Sequence, residues 1–405
     1  MIARKTELKE VVIGDYIQVI RRQHKIKKAD YLPSGDIPVI DQGSEFISGY
    51  INDKDKVYNG PLPIIVFGDH TCVYKYVDFP FAVGADGTQL LHPSKEFDPR
   101  YFYYCLCTVP LEQFGYQRHF KYLKKYKIYW RPMPIQQKIA SILSSYDDLI
   151  ENNTRRIQIL EEMAQRIYQE WFVNFRFPGH EKVRFVNSEL GKIPEGWEVV
   201  QLGEVLESIE SGSRPKGGID SSEREVPSIG AENVLGLGRY DFNKEKYVSR
   251  EFYENMRKGK VQSGDVLLYK DGAKIGRKSM FRDGFPHEVC CINEHVFILR
   301  TNSRCSQNYL YFYLDRPDIT QKIINLNTNA AQPGINQAGV KSLPILLPPK
   351  ELIELFDNKV EPLLGLLFNL AKKNQTLRKK RDLLLPKLIS GEIDVSNWEV
   401  VGSRW

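Results

Sequence analysis

Residues 139–171 read IASILSSYDDLIENNTRRIQILEEMAQRIYQEW, and the spacing of their apolar side chains decides the fold. Ile139, Leu143, Tyr146, Ile150, Asn153, Ile157, Leu160, Ala164, Ile167 and Trp171 recur at alternating steps of four and three. All but Asn153 are apolar or aromatic, so the stretch is a sustained heptad seam on a helix about 50 Å long at ~1.5 Å per residue. Shifted by 217 positions, the spacing returns in FDNKVEPLLGLLFNLAKKNQTLRKKRDLLLPKL, residues 356–388. Its seam is Phe356, Val360, Leu363, Leu367, Leu370, Asn374, Leu377, Arg381, Leu384 and Leu388. A seam so narrow and long fits a partner helix better than a domain surface. The alternative is two amphipathic helices, each packed on its own domain. If the seams pair antiparallel with aligned ends, facing residue numbers sum to about 527 and Asn153 meets Asn374. These are the only asparagines of either seam, and a buried Asn pair fixes register at some cost in stability. Pro362 breaks the pattern, because an interior proline removes a backbone hydrogen bond. The second helix is therefore expected to begin in effect near Glu361 and to end at Pro386.

The helices belong to a larger repeat. Val11-Val12-Ile13-Gly14-Asp15 resembles Val200-Gln201-Leu202-Gly203-Glu204, and Asp36-Ile37-Pro38-Val39-Ile40 resembles Glu225-Val226-Pro227-Ser228-Ile229. The apolar run Pro63 to Phe67 before Gly68-Asp69 resembles Val266 to Tyr269 before Lys270-Asp271-Gly272. Arg100-Tyr101-Phe102-Tyr103-Tyr104 resembles the run Asn308 to Tyr313. Each half then meets prolines, Pro132 and Pro134 or Pro348 and Pro349, before its helix. A period near 200 residues is far too long for a solenoid and indicates two copies of a domain plus a helix. The 405-residue length already requires more than one core. Short apolar runs between turns, with 12% aromatic residues, read as mixed strands and helices. The expected fold class is α+β: two mixed domains in pseudo-two-fold repeat, separated by two long antiparallel coiled-coil helices. The expected boundaries are 1–131 and 188–343 for the domains, 132–187 for the first helix and linker, and 344–405 for the second helix and tail.

A net charge of +6 permits nucleic acid without demanding it, so the location of the charge matters more. From Gln113 to Tyr146 there is no acidic residue, while basic and aromatic side chains alternate. That pattern suits phosphate contact with packing against sugars or bases; the other reading is a solvated basic face over core aromatics. The candidates are Tyr116, Gln117, Arg118, His119, Lys121, Lys124 and Lys125. In the second copy they are Arg214 and Lys216 in a glycine-containing loop, and Lys270, Lys274, Arg277 and Lys278 in a basic hairpin. Asn336 and Gln337 complete the set, because amides read adenine edges, though they suit helix capping equally. The basic cluster from Lys372 to Arg381 on the second helix is assigned to a solvent or partner face.

Enzyme readings fare worse. Leu347-Pro348-Pro349-Lys350 lacks the polar and aromatic partners of an amino-methyltransferase motif. Asp318 with Asp357 and Lys359 fits a metal nuclease only loosely. No H-x-x-x-H pair and no nucleophile elbow occur. The C-x-C and CC spacings are not zinc pairs, and the six cysteines are read as mostly buried thiols. No catalytic residue, metal or cofactor is expected. Neither a membrane span nor a secretion signal is read, which points to a reducing cytoplasm. A coiled-coil scaffold that does not bind DNA stays open as a rival, although it leaves the basic aromatic run unexplained.

Several segments together resemble the specificity (S) subunit of type I restriction-modification systems. They are Pro134 to Leu143 with Asp147 to Asn153, Gln169-Glu170-Trp171-Phe172, Gly191 to Trp197, Gln332 to Gln337, and Leu384 to Ile393. The resemblance covers essentially the whole chain. It implies two target recognition domains, each reading half of a split DNA sequence. It also implies helices that hold the halves apart and dock two methyltransferase subunits, with restriction (nuclease/translocase) subunits as further partners in some complexes. The chain itself would be non-catalytic. Pro362 departs from the family's uninterrupted second helix.

Overall fold

A computed structural model describes residues 7–21, 24–84, 86–111, 118–215, 225–327 and 334–398. The chain forms two compact units, one of residues 1–149 with 377–405 and one of residues 150–376.

The first unit holds β1 (Lys9–Val12), β2 (Ile17–Ile20), β3 (Ile37–Ile40), β4 (Gly49–Ile51), β5 (Ile64–Gly68), β6 (Tyr74–Val77), β7 (Ala82–Val83) and β8 (Thr88–Pro93). Then come α1 (Pro99–Cys107), α2 (Phe120–Leu123), β9 (Lys127–Trp130) and the start of α3 (Met133–Tyr168). A four-stranded sheet has the order β2-β8-β5-β6, a three-stranded sheet the order β4-β3-β7, and β1 pairs with β9. Every residue of β5 is buried, because alternate side chains point to opposite faces and both faces are covered. Ile65 and Phe67 join the cluster of Tyr101, Phe102 and Leu106 from α1, while Ile64 and Val66 join Ile40 of β3. Asp98 starts α1 by accepting from the Arg100 and Tyr101 amides, with Pro99 in the first turn.

The second unit carries β10 (Phe185–Ser188), β11 (Gly191–Pro194), β12 (Glu198–Gln201), β13 (Leu206–Ser211), β14 (Val226–Ile229) and β15 (Lys246–Val248). It continues with α4 (Arg250–Asn255), β16 (Asp265–Tyr269), β17 (Lys278–Phe281), β18 (Cys291–Ile292), β19 (Val296–Thr301), α5 (Gln307–Asp315), α6 (Pro317–Asn325), α7 (Gln337–Lys341), β20 (Pro344–Leu347) and most of α8 (Lys350–Ser390). Its sheets run β13-β19-β16-β17, β15-β14-β18 and β12-β20. Strand for strand this repeats the first unit, down to one parallel pair in each three-stranded sheet, β3 with β7 and β14 with β18. The duplication read from sequence is thus a duplication of topology. The β10–β11 hairpin has no counterpart among the described residues of the first unit.

Helix α3 ends at Tyr168 and continues as one π turn, Gln169–Val173. Helix α8 departs from expectation: it runs unbroken from Lys350 to Ser390, through Pro362 and Pro386. Val360 and Leu364, which flank Pro362, are fully buried. Burying two such side chains is worth about 1.5–3 kcal/mol each, against ~3 kcal/mol for an interior proline.

Within the second unit α3 and α8 run antiparallel. Asn153 Nδ2 donates to Asn374 Oδ1 at 2.9 Å, and the Trp171 and Phe356 rings lie 6.2 Å apart. Within the first unit Ile139 and Leu388 share one cluster, and Arg381 bonds Asp147 at 2.6 Å. The buried face is wider than the seam, however. Leu364 and Phe368 are fully buried outside it, while Leu363 within it is only half-buried. Phe368 meets Phe285 at 6.1 Å, and Tyr168 meets Tyr309 at 5.3 Å. The helices therefore pack on each other and on the globular domain at once, which joins the two alternatives weighed from sequence. No described helix is long and apolar enough to cross a membrane.

Candidate nucleic-acid interface

In the first unit the basic aromatic run is fastened to the end of β5. Asp69, 2% exposed, follows that strand directly. Its carbonyl accepts from the His119 amide at 3.0 Å, and its Oδ1 accepts from the Phe120 amide at 2.8 Å. His119 is 1% exposed, with Nδ1 2.9 Å from the same carbonyl. Although His119 is a reader candidate, the structure places it inside as an anchor for α2. Arg118, Lys121, Lys124 and Lys125 are exposed around it. Lys121 Nζ lies 4.7 Å from the Tyr122 ring and Lys124 Nζ 5.2 Å from the Phe120 ring, so apolar surface supports the cations. Gly14 donates to the Lys124 carbonyl at 2.9 Å, and a Cβ there would lie 2.9 Å from that oxygen. Only glycine allows this approach, which holds the lysine-bearing loop against the strand region. Tyr116 and Gln117 lie outside the described residues.

In the second unit the structure joins three stretches that are far apart in sequence. Lys270 follows β16 as Asp69 follows β5, and its carbonyl accepts from Ile335 at 3.0 Å. Asp271 Oδ2 takes the Lys270 amine at 2.9 Å and sits 2.9 Å from His295 Nδ1. His295 Nε2 is 3.3 Å from Glu294 Oε1, and that oxygen pairs with Arg214 at 2.9 Å. Arg214, Lys270 and the segment before α7 thus meet around Glu294-His295. Sequence reasoning missed Asp271, Glu294 and His295, since their contacts join positions far apart in sequence and carry no spacing signal. Lys216 lies outside the described residues.

The remaining candidates divide. Lys274 is exposed and Arg277 half-buried. Lys278 does not lie on an exposed hairpin: it is 8% exposed and donates to the Leu314 carbonyl at 2.9 Å and Thr320 Oγ1 at 2.5 Å. Burial lowers its amine below the usual lysine range, against the pull of Asp315 at 3.6 Å. Its ammonium therefore fastens α5 and α6 to the sheet. Asn336 caps α7, its Oδ1 accepting from Gly339 at 2.8 Å, and is exposed; Gln337 is half-buried. On α8, Lys372 donates to the Asp283 carbonyl at 2.7 Å. With Arg381 on Asp147, part of that basic cluster serves its own units rather than a solvent face. A cleft of about 930 Å³ in the second unit is lined by Glu161, Arg239, Lys274, Arg277, Lys278 and Asp315. Glu161 is ion-paired with Arg239 there, and burial raises its carboxyl above the usual range.

Two copies of one mixed domain, each with basic residues beside the strand end that closes on Asp69 or Lys270, define a duplicated α+β protein. The family model of the type I restriction modification DNA specificity domain matches the chain twice, over residues 5–162 and 194–354. The chain belongs to this family. It is 29% identical over 282 residues to the type I restriction enzyme MjaIX specificity subunit of Methanocaldococcus jannaschii, covering 67% of this chain and 62% of that one. The MjaVIII specificity subunit of the same organism is 25% identical, covering 68% and 64%. The match thus spans a little under two thirds of these relatives' length. The crystal structure of a type I restriction-modification S subunit from M. genitalium shares the fold, with a TM-score of 0.55 and 18% identity, covering 96% of this chain and 98% of that one.

Proposed function

We propose that this chain is the sequence-specific DNA-recognition subunit of a type I restriction-modification complex in the cytoplasm. Residues about 1–131 and 188–343 each read one half of a bipartite duplex target. The helices, within 132–187 and 344–405, set the gap and dock two methyltransferase subunits. The chain is non-catalytic: a partner takes the base out of the stack and methylates it, and cleavage belongs to restriction subunits where these join. The observation that carries the reading is the placement of basic residues beside the same strand end in both copies, the Arg118–Lys125 run after β5 and Arg214 with Lys270 after β16. Arg118, Lys121, Lys124, Lys125, Arg214, Lys270, Lys274 and Arg277 would hold phosphates, together with Lys216 from the same loop as Arg214. Tyr116, Gln117, Asn336 and Gln337 would face base edges, with His119 and Lys278 acting from inside as supports.

A gel-shift and salt titration of the complex with duplex DNA tests it. Binding that weakens steeply with salt is expected. No binding, even with the methyltransferase partner present, would overturn the reading and leave the scaffold alternative.

A further inference from the structure

We infer that Arg21 together with residues 24–28, leaving β2, is the phosphate clamp of the first domain and the counterpart of Arg214 in the second. The inference rests on the DNA-recognition reading. Its sequence, RRQHKIKK, holds five basic residues and a histidine without an acid. Arg21, Lys25, Lys27 and Lys28 are exposed, whereas Ile26 between them is 3% exposed. Ile26 donates to the Val83 carbonyl at 3.0 Å and bridges Gly84, so one buried side chain pins the segment while cations project on both sides.

Two independent placements support it. The first is topological. β2 and β13 are the edge strands of matching sheets, pairing β8 and β19. A basic segment leaves each of them, Arg21 after Ile20 and Arg214 shortly after Ser211. The second is spatial. Lys25 pairs with Asp86, whose carbonyl accepts from Gln42 Nε2 at 2.7 Å. Gln42 Oε1 accepts from the His70 amide at 3.3 Å. The neighbouring Asp69 donates to the Gly87 carbonyl at 2.7 Å and anchors the start of α2. This chain of contacts ties Lys25 and its neighbours Ile26 to Lys28 to the sheet end that carries Lys121 and Lys124. A duplex lying there would meet cations from two stretches about 100 residues apart in sequence, each phosphate neutralised releasing condensed counterions.

The test uses the full chain in complex with its methyltransferase subunits. Two triple variants are compared with the parent: Arg21→Gln/Lys27→Gln/Lys28→Gln and Lys121→Gln/Lys124→Gln/Lys125→Gln. All six side chains are exposed, and thermal melting confirms that each variant folds. Affinity for a random-sequence duplex is measured across salt concentrations. The first variant should lower the slope of log affinity against log salt by about 1 per lost phosphate contact. The methylated motif, read by methylome sequencing, should keep both half-sites. If the first variant keeps the parental slope while the second lowers it, the clamp is overturned and DNA recognition stands. If the parent complex fails to bind duplex, the underlying reading falls and the clamp falls with it.

Discussion

Asn153 donates its side-chain amide to the Asn374 carbonyl oxygen across the two long helices, at 2.9 Å. Asn374 in turn donates to the Ile150 carbonyl and to Thr154 Oγ1, each at 3.2 Å. The two partners differ in exposure: Asn374 is 2% exposed, whereas Asn153 is half-buried and open to water. Asn153→Leu strands the buried Asn374 oxygen and should cost about 1–3 kcal/mol. Asn374→Leu leaves a half-buried amide that water can satisfy and should cost less. The double leucine variant should recover most of the loss while defining helix register less uniquely. Denaturant unfolding of the four proteins forms the cycle; equal costs for the two single variants would contradict this ordering.

Pro362 is exposed on α8, and the helix continues through it. The proline ring provides no amide for the preceding turn. Pro362→Ala restores that hydrogen bond without touching the buried face, and should raise stability by up to ~3 kcal/mol. Chemical denaturation reads this directly. Unchanged or lower stability would mean that the ring itself contributes packing.

Arg282 forms a two-pronged bond to Glu361 on α8, at 3.1 and 2.5 Å, and lies over the Phe368 ring. The hydrogen bond from Arg282 holds the Glu361 carboxyl below its usual range. A depressed carboxyl contributes stability above its unfolded value, near 4.3, and loses that contribution as pH falls through the folded value. The Glu361 side chain is 50% exposed, so solvent screening keeps the effect to about 1 kcal/mol or less. The melting temperature of Glu361→Gln should lie below that of the parent at pH 7, with the gap closing as pH falls below the unfolded carboxyl's range and through the depressed folded one. A gap that widens on acidification would contradict the pairing.

What the sequence revealed and what it hid follow from the range of each signal. The seam Ile139 to Trp171 and its copy were legible because heptad spacing is a local property. The duplication was legible because Val11 to Asp15 and Val200 to Glu204 keep strand patterning. The continuity of α8 was hidden, since Pro362 reads as a break until the burial of Val360 and Leu364 is known. Lys278 read as a surface cation because a sequence cannot show the Leu314 carbonyl waiting 36 positions later. Asp271, Glu294 and His295 were illegible for the same reason, as were the ties from Lys25 to Asp86 and from Asp86 to Gln42.

Removing seven residues from each helix at facing positions tests whether the helices set the gap between the half-sites. Seven residues make two turns, about 10.5 Å of helix at ~1.5 Å per residue, and a heptad deletion preserves the seam. The natural cut is Thr154–Leu160 with the facing Leu367–Lys373, seven residues each, which keeps Asn153, Asn374, Asp147 and Arg381 in the chain. Each globular domain keeps its own sheets and basic loops, so the proposed base contacts are untouched. At about 3.4 Å of duplex per base pair within one strand, the unread gap should shorten by about three base pairs. Methylome sequencing of cells expressing the variant with its methyltransferase should then return both half-sites unchanged around a shorter gap. Altered half-sites would contradict modular reading, and an unchanged gap would remove the helices from the role of spacer.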